Sequence, residues 1–187
     1  MNRLHKKYQE KIIPQMIKVF GYKNKMAVPK IKKVVLNVGI SSENLNDEKF
    51  VKAVKKSLEQ ITGQKPVFTR AKKSISAFKV KEGMKVGAKV TLRGERMYDF
   101  IDKLVNITLP RVRDFRGLNK KLISGGNSLT IGFKENMVFP EIDSEKIERM
   151  HGLEVNVVSN TKSDKEMLEL LSLLGFPFKK SEDKNDN

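Results

Sequence analysis

The sequence predicts an α+β fold: an antiparallel or mixed sheet with helices on one face and an open, basic second face. Three observations lead there. Four segments, at about 31–38, 85–93, 128–133 and 153–159, alternate apolar and polar residues with the period of a strand. Helical segments are interspersed among them without a strict βαβ order. The residues opposite the apolar set are Lys33, Asn37, Lys89, Thr91, Arg93, Thr130 and Asn156, with Glu154 as the single acid among them.

The elements follow in order. Leu4, Tyr8, Ile12, Met16 and Phe20 recur at helical spacing, and Pro14 predicts a kink or break in a helix over about 3–20. After the turn Gly21-Tyr22-Lys23-Asn24, Pro29 leads into a strand in which Val34, Leu36 and Val38 share one face. Asn46 is the expected cap of a second helix, with Asp47 and Glu48 in its first turn, Phe50, Val54, Leu58 and Ile61 as its buried stripe and Gly63 as its stop. Pro66 opens the short strand Val67–Arg70. Residues 71–83 hold four lysines and one acid without a clear apolar period, and are expected to leave the sheet as an exposed excursion. Val86, Ala88, Val90 and Leu92 form the inner face of the next strand. A helix from about Glu95 ends at Pro110 and is followed by a basic irregular loop, RVRDFRGLNKK. Leu129, Ile131 and Phe133 point inward from one strand, and Leu153, Val155 and Val157 from the last. Between them, residues 135–154 read as an acidic connection. Ser163 and Glu166 form a capping box for a final helix carrying Met167, Leu170, Leu171 and Leu174, ended by Gly175. Residues 1–179 read as one domain and 180–187 as a disordered tail.

Charge is unevenly spread. The 187 residues carry a net +16, but residues 1–93 hold 23 basic and 6 acidic side chains, whereas residues 94–187 hold 15 and 16. The densest stretch runs from Lys65 to Arg93, nine basic residues against Glu82 alone. Such clustering is the electrostatic footprint of nucleic-acid binding. The connection at 135–154 has the opposite sign, six acids against Lys146 and Arg149, and suits a basic protein partner.

Other functions are disfavoured by composition. The chain has no cysteine, hence no disulfide, thiol nucleophile or cysteine-held metal. His5 and His151 read as ordinary polar residues. No apolar run reaches the ~20 residues of a membrane helix, and the N-terminus lacks a secretory core, so a soluble, intracellular protein without a membrane partner is expected. Phosphate-cradle, dinucleotide and nucleophile-elbow glycine motifs are absent, and no cofactor or metal is expected. Glu95, Asp99 and Asp102 recur along one helix and suggest a metal-dependent RNA-processing enzyme, but a solvated helix face is the expected reading. A free-standing RNA chaperone is the other rival. The sequon at Asn106 lies mid-helix and is discarded.

In LEQITGQKPVFTRAKKS, the residues Leu58, Ile61, Thr62, Gly63, Gln64, Val67, Thr69, Ala71, Lys72 and Ser74 resemble the L-five family of bacterial large-subunit ribosomal proteins. KIKKVVLNVG, GAKVTLRGERMYDF, LPRVRDFRGL, GNSLTIG, FPEID and LGFPF extend the resemblance over about 1–179. It implies a non-enzymatic α+β protein that attaches 5S rRNA in the central protuberance of the large subunit, beside large-subunit rRNA and neighbouring ribosomal proteins of the cytoplasmic ribosome. It further implies a loop at the P-site tRNA and a bridge to small-subunit protein S-thirteen. The family's 5S-contacting positions match Lys33, Asn37, Gln64, Phe78, Thr91 and Arg93. Lys33, Asn37, Thr91 and Arg93 already lie on the open face by alternation alone, as does Lys89. The tRNA-facing loop maps to about 72–85, with Lys72, Lys73, Lys79, Lys81 and Lys85. Glu141, Asp143 and Glu145 are the expected bridge residues. Three departures stand out: Ser41 where a second glycine is usual, Lys85 in place of a proline, and a less acidic turn at 123–127. On this reading Lys33 and Arg93 hold phosphates, Asn37, Gln64 and Thr91 hydrogen-bond sugars or base edges, and Phe78 stacks on an unpaired base.

Overall fold

The computed structural model describes residues 2–41, 44, 45, 47–142 and 149–179 of the chain. Among the described residues six strands form one sheet: β1 (Ile31–Gly39), β2 (Val67–Arg70), β3 (Lys85–Leu92), β4 (Ile123–Ser124), β5 (Ser128–Phe133) and β6 (Leu153–Ser159). Their order is β2-β3-β1-β6-β5-β4, and every neighbouring pair is antiparallel, so the mixed-sheet alternative falls away. The central strand β1 joins β3 of the first half to β6 of the second.

The period-two pattern decides which face is covered. Val34, Leu36 and Val38 of β1 are buried together with Ala88, Val90 and Leu92 of β3, Leu129 and Ile131 of β5, and Val155 and Val157 of β6. The apolar stripes of α3 (Glu48–Thr62), α4 (Gly94–Lys103) and α5 (Asp164–Leu174) join them in the same core. Each fully buried aliphatic side chain contributes about 1.5–3 kcal/mol.

Helix ends correct the sequence reading in three places. The cap of α3 is Asp47, whose Oδ1 accepts from Lys49 N at 2.9 Å and Phe50 N at 3.2 Å; Asn46, the expected cap, lies outside the described residues. A cap must reach the second or third amide of the helix, and Asp47 holds that place. At α5, Ser163 Oγ accepts from Glu166 N as the capping box requires, but the Glu166 carboxylate accepts from Lys162 N at 2.9 Å, one residue upstream of the box partner. The prolines act differently from the expected break. Between α1 (Arg3–Lys7) and α2 (Ile13–Phe20), residues Tyr8–Ile12 form a π turn, and Ile13 N–H donates to Tyr8 O. The same device recurs after α4, where Leu104–Thr108 is a π turn and Leu109 N–H donates to Leu104 O. Pro14 and Pro110 follow directly. A proline ring collides with the carbonyl four residues back, and the wider π turn relieves that collision without breaking the helix.

The acids of α4 neither gather round a metal nor simply face water. Glu95 accepts from Asn2 N at 2.9 Å and pairs with His5 Nδ1 at 2.7 Å. Asp99 accepts from Asn2 Nδ2, and Asp102 binds Arg3 at 2.9 Å. His5 stacks on Tyr98 at 4.5 Å. The three carboxylates therefore dock α1 onto α4, and the hydrogen bonds from Asn2 and His5 hold the Glu95 carboxyl below its ordinary range. No cluster of possible metal ligands occurs among the described residues.

The acidic connection is only partly a surface feature. Asn136, Phe139 and Ile142 are buried, with Phe139 between Phe133 at 5.5 Å and Phe100 at 6.3 Å. His151, read as an ordinary polar residue, is also buried, with Nδ1 3.5 Å from Asn136 Nδ2 and its ring edge-on to Phe50. Burial pushes the His151 pKa below its ordinary 6.5. The folded state thus resists a proton that the unfolded chain accepts. The contribution of His151 to stability is full above about pH 6.5 and is lost as pH falls from there towards the folded-state pKa. Denaturant titrations across that window should show a slope that His151→Gln flattens; an unchanged slope would place the pH dependence elsewhere.

Candidate nucleic-acid interface

The open face is built in cross-strand rows. Val67 of β2, Lys89 of β3, Asn37 of β1, Glu154 of β6 and Gly132 of β5 stand side by side in register. The next row is Thr91, Val35, Asn156 and Thr130, and beyond it Lys33 neighbours Val158, which in turn neighbours Ser128. On the other side lie Thr69, Gly87 and Gly39. Gly87 has a structural reason: a Cβ there would sit 2.8 Å from Val38 O and 2.9 Å from Thr69 Oγ1.

Local structure delivers the remaining side chains to this face. Gly63 adopts φ +64° at the end of α3, and the Thr62 hydroxyl bonds Leu58 O at 2.6 Å and accepts from Gln64 N at 3.2 Å. This turn carries Gln64 to the sheet edge, where its Nε2 donates to Thr91 O at 3.3 Å. Arg93 follows the last residue of β3 in extended conformation, one step on from the Val34–Leu92 pair and thus opposite Lys33. Its guanidinium is exposed and lies 3.5 Å from Lys32 O, leaving most donors free. Thr130 Oγ1 donates to Asn156 Oδ1 at 2.5 Å, and Asn156 Nδ2 donates to Glu154 Oε1 at 3.0 Å.

The structure therefore brings Lys33, Asn37, Gln64, Lys89, Thr91 and Arg93 to one face or its edge. Phe78 stands apart. It is 61% exposed, at the end of the 3-10 turn Ser76–Phe78 in the excursion between β2 and β3. That excursion has internal order: Ala71 N–H bonds Met84 O at 2.9 Å, Gly83 N–H bonds Ala71 O at 3.0 Å, and Ile75 and Val80 exchange backbone bonds of 2.8 and 3.1 Å. Lys72, Lys73, Lys79 and Lys81 are exposed on it. Lys85 lies at its root, paired with Arg70, with its ammonium 5.0 Å from the Phe68 ring centre. Ser41, at the first departure, opens the turn towards α3: Ser41 O accepts from Asn44 N at 3.0 Å and its hydroxyl from Asn44 Nδ2 at 3.1 Å. The sequence reading passed over Val67 and Val158 on the open face, although strand parity was the signal that places them there.

Of the expected bridge residues, Glu141 is half-buried and pairs with Lys103 at 2.5 Å, while Lys103 also donates to Ile61 O at 2.7 Å. This carboxylate is committed inside the protein because residues 136–142 fold back over α4. Asp143 and Glu145 lie outside the described residues.

An antiparallel sheet with an acid-poor, cation-bearing open face carries the electrostatic footprint of an RNA-binding α+β protein. Residues 24–81 match the family "Ribosomal protein L5", and residues 85–178 match the separate model of that ribosomal family's C-terminus. The large ribosomal subunit protein uL5 of Carboxydothermus hydrogenoformans is 53% identical over 178 residues, covering 95% of this chain and 99% of that protein. The chain belongs to the ribosomal protein L5 family. It is a structural, non-enzymatic constituent of the large subunit of the cytoplasmic ribosome, which sets aside the processing-enzyme reading of Glu95, Asp99 and Asp102.

Proposed function

We propose that this protein attaches 5S rRNA to the large subunit through its open sheet face. The observation that carries the proposal is the registered array of Lys33, Asn37, Lys89 and Thr91, flanked by Gln64 and Arg93, on a face with one acid among the described residues. Lysine and arginine neutralise phosphates, and the amides and hydroxyl bond sugars or exposed base edges. Pull-down of cellular RNA should return one short ribosomal RNA above all others. Broad recovery of single strands would favour the chaperone reading. If about five to eight phosphates are neutralised, log K should fall against log salt with a slope on the order of −4 to −7. A flat response would remove the electrostatic basis.

The same proposal gives the excursion, with Lys72, Lys73, Lys79 and Lys81 and with Lys85 at its root, to the P-site tRNA. Its backbone bonds support a protruding but ordered arm. Phe78 reaches 5S rRNA from the arm. The acidic connection meets small-subunit protein S-thirteen through Asp143 and Glu145, with Glu141 anchoring its base to Lys103. Exposed ion pairs contribute about 0–1 kcal/mol each and weaken with salt. Asp143→Asn with Glu145→Gln should therefore alter subunit joining at low salt, read by light scattering, and leave 5S rRNA binding unchanged; normal joining at every salt would sink the bridge role. Residues 1–179 act as one domain, since β1 pairs with strands of both halves, and should unfold in one transition.

A further inference from the structure

An acid on a phosphate-binding face is out of place unless it binds something other than phosphate. Glu154 is the one acid on this face among the described residues, beside Asn37 in the middle of the array. Its Oε1 accepts from Asn156 Nδ2 at 3.0 Å, and Asn156 is held in turn by Thr130 at 2.5 Å. A carboxylate aimed by two neighbours is poised as an acceptor, and each oxygen accepts more than one bond.

Across the strand from Glu154 is Gly132. A glycine inside a strand is destabilising relative to alanine. Among the described residues nothing requires it: φ is outside the left-handed region, and an added Cβ would meet no described atom within 4 Å. β5 is also open at that end, because its pairing with β4 stops at Leu129 among the described residues. A strand glycine of this kind commonly marks a place where a ligand or another backbone approaches closely.

We propose that Glu154 and Gly132 form a guanine-reading slot on the open face. The Glu154 carboxylate accepts N1–H and N2–H from the Watson–Crick edge of an unpaired guanine, whose ring lies over Gly132. Guanine alone among the four bases presents two adjacent donors there; adenine, cytosine and uracil each set an acceptor beside a donor. Unpaired bases with exposed edges are the usual route to sequence-specific RNA recognition. The slot rests on the reading that this face binds 5S rRNA, and it adds base specificity to a surface otherwise suited to phosphates and sugars.

The test turns on a sign. Glu154→Gln keeps shape and the bond from Asn156 but removes a negative charge. If Glu154 is merely solvated, the change lessens repulsion from phosphates and 5S rRNA binds more tightly. If it reads guanine, binding weakens about tenfold or more, and one guanine protected by the wild-type protein becomes reactive towards a 1,2-dicarbonyl reagent that adds to N1 and N2. Gly132→Val should raise the melting temperature, because a β-branched residue favours a strand, yet weaken binding and expose the same guanine. Equal or tighter binding by Glu154→Gln, or unaltered guanine protection in both variants, overturns the slot while leaving wild-type binding intact. Failure of the wild-type protein to bind 5S rRNA removes the sheet reading, and the slot with it.

Discussion

Phe139→Ala is expected to destabilise the protein by about 3–5 kcal/mol, the range for deleting a buried aromatic ring. Phe139 is fully buried, edge-on to Phe133 of β5 and stacked with Phe100 of α4. Its ring thus links the strands of the second half to the helix that follows β3. Against a total stability of about 5–15 kcal/mol, the loss takes a large part of what holds the fold. Urea unfolding followed by circular dichroism gives the number. A loss under about 1 kcal/mol would mean that residues 136–142 lie on the surface rather than in the core. The variant should still bind 5S rRNA under conditions where it is folded, since the ring packs with Phe133 and Phe100 on the covered side of the sheet.

Arg93→Ala should weaken 5S rRNA binding by roughly 1–3 kcal/mol, or about fivefold to 150-fold, and Asn37→Ala by a similar amount. Both stand in the array, Arg93 at its α4 end and Asn37 between Lys89 and Glu154. Neutralising Lys79, Lys81 and Lys85 together should do much less to 5S rRNA affinity, because Lys79 and Lys81 lie on the arm and Lys85 at its root. Filter binding at one fixed salt concentration compares the two. A triple variant that loses 5S rRNA as badly as Arg93→Ala would end the division of labour between sheet and arm. Melting curves of all variants should overlay the wild type, as these side chains lie outside the core.

Much of the candidate interface was legible because strand parity is a local property. Once Val34, Leu36 and Val38 are buried, Lys33 and Asn37 must point the other way, and a one-residue slip would bury the lysine. The same argument placed Lys89, Thr91 and Arg93. Gln64 and Phe78 came through the family resemblance, since neither lies in an alternating run. The turn of Thr62 and Gly63 shows how Gln64 arrives, and Phe78 stays on the arm.

Taken alone, the sequence determined the fold class, the covered and open faces of each long strand, and the concentration of positive charge in the first half. These depend on residue order over a few positions, where periodicity and capping act. Tertiary structure alone decided the neighbours. Only the pairing of β1 with β3 and β6 sets Asn37 between Lys89 and Glu154 and puts Gly132 at the end of their row. Only the docking of the N-terminal helix brings Asn2, His5 and Arg3 to Glu95, Asp99 and Asp102, and only the closure of residues 136–142 over α4 turns an acidic connection into core at Phe139 and ties Glu141 to Lys103. The physical reason is range: burial of Phe139 and the pairing of Asp102 with Arg3 join residues distant in the chain, and no local pattern carries the energy of a contact that the folded chain alone creates.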